Sequence, residues 1–247
     1  MRDFPTLPFA VGAITGLTLL LACKPAPALE PAAGVHEFND EFDTSVSERW
    51  QVVNSGDFTH SIEEGELVVV PSTNNVWWRE DSGPGFLQPV TGNFHVTTRV
   101  FARKASNPDE AVDAGYQFAG IIARDPASFT EPSAENYVFS VVGWRGEYMS
   151  AETKNTEDDV SIVAGPDWVT GDAELRICRV NGQFLLYNRA VGATEWQHAI
   201  SYDRNDLPET LHVGPIAYTY TGAWDMRARF DYVRFAPVAS EADCTVD

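Results

Sequence analysis

Three closely spaced runs between Gly92 and Val142 limit what this chain can fold into: GNFHVTTRVFA, YQFAGIIARDP and ENYVFSVVG. In the first, Phe94, Val96, Thr98 and Val100 alternate with His95, Thr97 and Arg99, the period-two pattern of a strand with one buried face. The second is almost continuously apolar from Phe118 to Ala123, as expected of a strand covered on both faces. In the third, Tyr137, Phe139 and Val141 share one side, and Val138, Ser140 and Val142 share the other. Three long neighbouring strands predict the middle of one sheet, whose second layer must come from the flanking sequence.

The flanks supply it. Ser55 to Val70 reads as a hairpin about Glu63-Glu64-Gly65, and Val76 to Arg79 as a further strand before the breaker cluster Asp81–Gly85. Gly146 to Thr153, Asp172 to Val180, Trp196 to Ile200, Leu211 to Tyr220 and Met226 to Phe235 complete the strand set, with a charged loop at Glu157-Asp158-Asp159. Asn181-Gly182 between RICRV and QFLLY is the strongest hairpin signal, because both residues tolerate positive φ. Phe38, Phe42 and Trp50 read as core anchors. No fixed period suggests a propeller or solenoid, and no stretch outside the N-terminal segment reads as helical. The expected fold is all-β, a single two-sheet antiparallel sandwich.

The apolar run Phe9–Leu21 is too short to span a bilayer comfortably. It follows Arg2 and ends at Leu20-Leu21-Ala22-Cys23, so residues 1–22 read as a signal peptide. That tetrapeptide resembles the bacterial lipobox, which implies lipidation at Cys23 and a membrane anchor in a bacterial cell envelope, at the outer membrane or cell surface. An ordinary signal peptide with a chance cysteine is the alternative. Residues 23–34, rich in Pro and Ala, read as a tether, residues 35–238 as the folded domain, and residues 239–247 as a C-terminal tail.

The chain carries 17 Lys and Arg against 36 Asp and Glu, a net charge of −19. It has no basic face for nucleic acid, and its charge disfavours polyanionic substrates. Of three cysteines, Cys178 and Cys244 are left as a pair once Cys23 is assigned to the lipid. A disulfide between them would pin the tail to the domain in an oxidising compartment; two free thiols are the alternative.

Specific phrases carry a family resemblance. FNDEFDTSVSERW, GNFHVTTRV, YQFAGIIARD with ENYVFSVV, AELRICRVNGQFLLY, HVGPIAYTYTG and ARFDYVRF occur in the order of the concanavalin A-like lectin/glucanase superfamily. Within it they resemble the bacterial subgroup with β-xylosidase C-terminal jelly-roll domains. The resemblance covers Phe38 to Phe235 and implies a two-sheet jelly roll. One departure stands after the hairpin, where Arg189–Trp196 keeps the turn and the Trp but lacks the subgroup's Ser and Asp. Jelly rolls of this kind often hold a structural calcium between the first segment and the last strand, which points here to Asp40 and Asp231.

A glycoside hydrolase needs two carboxylates across a cleft. The strands 94–101, 116–124 and 137–143 carry none, and no catalytic residue is assigned. A lyase-like set would draw on His95, Arg99, Gln117 and Tyr137, which are otherwise ordinary polar-face and core residues. Sugar binding asks for less: exposed rings to stack on a pyranose and polar groups to hold hydroxyls. Trp77 and Trp78 must face opposite ways, so one is core and the other exposed. A groove lined by Trp78, Trp144, Tyr148 and Trp224, with His95, Arg99 and Gln117, is the expected ligand site. The sequence thus points to an envelope-tethered, monomeric, non-catalytic module for a glycan or glycosylated partner. A polysaccharide hydrolase or lyase, and a structural module without sugar, are the alternatives.

Overall fold

The structure, a computed structural model, describes residues 28–129, 134–168, 170–222 and 224–247. The expected signal peptide and Cys23 lie outside the described residues. Fourteen strands follow one another: β1 (Gln51–Val53), β2 (Phe58–Glu63), β3 (Glu66–Pro71), β4 (Gly85–Thr91), β5 (Phe94–Arg103), β6 (Tyr116–Arg124), β7 (Tyr137–Arg145), β8 (Met149–Glu157), β9 (Val160–Ala164), β10 (Asp172–Val180), β11 (Gln183–Arg189), β12 (Gln197–Asp203), β13 (Thr210–Tyr220) and β14 (Arg227–Pro237). They form two seven-stranded sheets, ordered β1-β4-β13-β6-β7-β8-β9 and β12-β11-β10-β5-β14-β3-β2. Every ladder is antiparallel.

Alternation along the strands builds the core between the sheets. Phe94, Val96 and Val100 of β5 meet Ala119 and Ile121 of β6, Val138 and Val142 of β7, Leu175 and Ile177 of β10, and Phe230 and Phe235 of β14. Phe42 and Trp50 anchor the first segment there as expected, while Phe38 is half-buried at its margin.

The three runs that predicted one sheet are split between two. β6 and β7 pair with each other, but β5 pairs with β10 and β14 in the second sheet. The loop 104–115 carries the chain across the core, so runs adjacent in sequence face one another instead of pairing. Val76–Arg79 is likewise not a strand: between its breakers it forms a strap with one local bridge, Trp78 to Asp81, and Arg79 at φ 54°. The acidic turn at Asp158-Asp159, both with positive φ, leads into the unforeseen edge strand β9.

Part of the expected tether lies on the domain. Asn93 fixes it: its amide donates to Leu29 O at 2.8 Å, its backbone carbonyl accepts from Ala32 N at 2.8 Å, and its Oδ1 accepts from Asn181 N at 2.6 Å. The tail is held by the Cys178–Cys244 disulfide, with Cα atoms 5.6 Å apart. It covers the outer face of the second sheet, where Cys178, Leu185, Tyr187 and Val238 form a small apolar cluster. Asp247 is gripped by Arg176 at 2.8 Å, Arg189 at 2.7 Å and Trp196 Nε1 at 3.0 Å.

Candidate functional site

The outer face of the first sheet carries a second apolar cluster that includes Phe118, Ile122, Tyr137, Phe139, Val141, Ile216 and Tyr218. An outward-facing row this apolar needs a cover, and residues 72–84 supply it for one half. Thr219 Oγ1 donates to Thr73 O at 2.9 Å, and Gly222 N and Trp224 Nε1 donate to Asn74 Oδ1 at 3.0 and 3.1 Å. At the far edge Arg79 N donates to Ser161 Oγ at 2.9 Å. Trp77, fully buried, stands edge-on to Tyr137 with ring centroids 5.8 Å apart. The strap therefore runs across the strands from β13 to β9 and closes the Ile122–Tyr137 half of the face.

The other half stays open as a cleft of about 420 Å³. Strand register lays out its side chains in rows. Tyr220, Tyr116 and Arg145 are cross-strand neighbours on β13, β6 and β7. The next row holds Tyr218, Phe118, Gly143 and Ser150; a side chain at Gly143 would collide with the Gln117 carbonyl, so the row stays low there. Val141 and Glu152 follow, then Phe139, Lys154 and Val163. Val76, Trp77, Trp78 and Asp81 of the strap form the facing wall.

Three rings stand free enough for a ligand: Trp78 at 38% exposure, Tyr116 at 43% and Tyr220 at 49%. The two tyrosines lie with centroids 6.5 Å apart and planes at 59°. Behind them sit buried charges. Lys154 Nζ donates to Trp77 O at 2.6 Å, and lies 4.6 Å from the Trp78 ring centroid and 4.5 Å from that of Phe139. Burial pulls its ammonium down to a pKa of about 8, although Glu152 beside it acts the other way. Burial pushes the Glu152 carboxyl up, with Lys154 and Arg145 opposing. Burial also holds the Tyr218 hydroxyl well above the usual phenol range.

Of the residues expected at the site, the structure places only Trp78 in this cleft. His95 and Arg99 lie on the outer face of β5, in the other sheet. His95 is buried under the tail, and desolvation followed by the nearby Arg176 charge lowers its pKa to about 3. Arg99 pairs with Glu174 at 2.8 Å and Asp231 at 2.7 Å. Gln117 is buried and faces inward by alternation with Phe118, and Trp144 packs against the inter-sheet core. Tyr148 flanks the cleft, its hydroxyl 3.5 Å from Arg145 Nη1, and Trp224 is tied to Asn74 at the strap's end. Tyr116, Arg145, Glu152 and Lys154 were missed. For Glu152 and Lys154 the signal is alternation in SAETKNTE, readable as a site only once β8 is known to sit beside β7; Tyr116 and Arg145 lie at the ends of β6 and β7 and become neighbours only through register.

Asp40 and Asp231, the pair expected to hold calcium, both engage protein donors. Asp40 Oδ1 accepts from Phe42 N at 2.9 Å, and its Oδ2 accepts from Ser47 N at 3.1 Å and Trp50 Nε1 at 2.8 Å. Asp231 is taken by Arg99. Among the described residues no group of three or more His, Cys, Asp or Glu is placed to hold a metal.

No family model and no curated protein matches the chain. Solved structures share its fold. A GH43 protein from Bacillus licheniformis superposes with TM-score 0.63 at 15% identity, over 82% of this chain and 39% of that one. A functionally unknown protein from Saccharomyces cerevisiae gives TM-score 0.62 at 15% identity, over 78% and 98%. Lectin I-B4 from Griffonia simplicifolia, in metal-free form, gives 0.52 at 15% identity, over 81% and 97%. What is shared at such identities is architecture. The chain has the concanavalin A-like jelly-roll fold that its sequence phrases resemble.

Proposed function

We propose that the chain is an exported carbohydrate-binding module whose ligand lies in the cleft between the strap and the Tyr220–Tyr116–Arg145 row. The observation that carries this reading is the combination of three partly exposed rings with buried polar groups in one 420 Å³ cleft. Rings stack on the apolar faces of pyranoses, and charged and amide groups hold their hydroxyls. A GH43 protein and a lectin among the structures of similar fold agree with a sugar ligand. The disulfide suits an oxidising, exported setting, and the Leu20–Cys23 phrase supports lipid anchoring at Cys23.

A hydrolase is the second reading, because Glu152 and Asp81 both line the cleft. Binding is preferred: Glu152 lies beside two cations, Lys154 and Arg145, and Asp81 belongs to the strap wall.

A glycan array followed by calorimetry on the hits tests the proposal. Trp78→Ala should keep the fold and weaken binding by at least about tenfold, the scale of one lost stacking ring. A folded protein that retains no saccharide, or a Trp78→Ala variant that binds as the parent does, contradicts it.

A further inference from the structure

We infer that Glu152 selects the ligand, accepting hydrogen bonds from two adjacent hydroxyls of a neutral sugar and excluding uronates; this rests on the binding reading above. Three glutamates of the described chain are buried: Glu135, Glu152 and Glu174. Two are saturated. Arg124 Nε donates to Glu135 at 2.7 Å, and Arg99 Nε donates to Glu174 at 2.9 Å while Arg189 holds its second oxygen. Glu152 is only 5% exposed, yet no hydrogen bond from the described residues reaches its carboxylate. The nearest cation, Arg145 Nε, stands 3.8 Å from Oε2, an ion pair beyond hydrogen-bond distance. The Lys154 ammonium beside it is turned to the Trp77 carbonyl.

A buried carboxylate without donors is costly, because desolvation is not offset. Glu152 lines the cleft, so a ligand that enters can supply what the protein does not. The two oxygens of a carboxylate accept side by side, which matches a vicinal diol, and O–H donors to a carboxylate bind at shorter range than neutral pairs. The charges nearby decide the ligand's own charge. With two acids and two bases lining the cleft, no net charge draws in an ion of either sign, and a uronate carboxylate brought against Glu152 is repelled where a hydroxyl pair is not.

The test is calorimetry of the parent protein with cellotetraose, xylotetraose, laminaritetraose, tetragalacturonate and a chitosan tetramer. At least one neutral tetramer should bind, with the acidic and cationic ones weaker by at least about tenfold. Glu152→Gln, checked for fold by circular dichroism, should weaken the neutral hit by at least about tenfold. Glu152→Asp keeps the charge, withdraws it by one methylene and should also weaken binding. In the parent, a saturating neutral tetramer should shift the Glu152 carboxyl ¹³C resonance, a readout that needs no variant. Equal binding of tetragalacturonate, or an unmoved Glu152 resonance with unchanged Glu152→Gln affinity, overturns the inference and leaves the binding reading standing. Failure of every saccharide on the array sinks both.

Discussion

His95 is buried beneath the tail with its Nδ1 unpartnered, and its pKa falls from 6.5 to about 3. The unfolded chain takes up a proton at this residue below pH 6.5 that the folded chain refuses. Its contribution is therefore complete above pH 6.5 and is lost as pH falls from there towards 3, with a slope of up to about 1.4 kcal/mol per pH unit. Melting temperatures of the parent should drop across that window, and His95→Gln should flatten the drop; parallel profiles would refute the assignment. Lys154 works in the alkaline range. Lowered from 10.5 to about 8, it makes the fold gain stability as pH rises from 8 towards 10.5, because only the unfolded chain still holds the proton. Residue identity alone makes the split between Trp77 and Trp78 legible, since neighbours in an extended segment point opposite ways. It leaves Glu152 and Lys154 illegible, because a polar residue on a strand shows its neighbours only through register.

At the level of elements, the strap and the tail are the two pieces that cover outward sheet faces. Trp77 fills the strap's underside, so Trp77→Ala should cost about 3–5 kcal/mol and open the Ile122–Tyr137 half of the sheet, read as a lower denaturant midpoint. The tail depends on the Cys178–Cys244 bond, which closes a loop of 66 residues and restricts the unfolded chain by about 4 kcal/mol in the chain-entropy model. The double Cys→Ser variant should lose a stability of that order and expose amides 239–247 to hydrogen exchange; unchanged protection there would contradict the pinning. Strand positions were largely readable, with Asp172–Val180 and the Asn181-Gly182 hairpin where the pattern put them. Layer assignment was not. Alternation marks which side of β5 is buried but not whether β6 pairs with it or faces it across the core. The strap was hidden for a related reason: two tryptophans and a valine look like a strand, and only the breakers on either side and the lack of a ladder partner make them a cover.

For the whole molecule, the sequence phrases and the solved structures agree on one architecture while the site depends on details neither carries. Net charge illustrates the difference. At −19 the folded chain repels itself, and raising NaCl from 10 to 150 mM, which shortens the screening length from about 30 to about 8 Å, should raise the melting temperature. A flat or falling response would show that paired surface charges dominate. The proposed sugar site lies on the outer face of the first sheet, beside the strap. Amide chemical-shift mapping, during titration with the strongest saccharide from the array, tests it most directly. Binding there should shift Trp78–Asp81, Tyr116–Phe118, Arg145 and Ser150–Lys154. Shifts confined to the second sheet, around His95, Arg99 and Arg176, would contradict it.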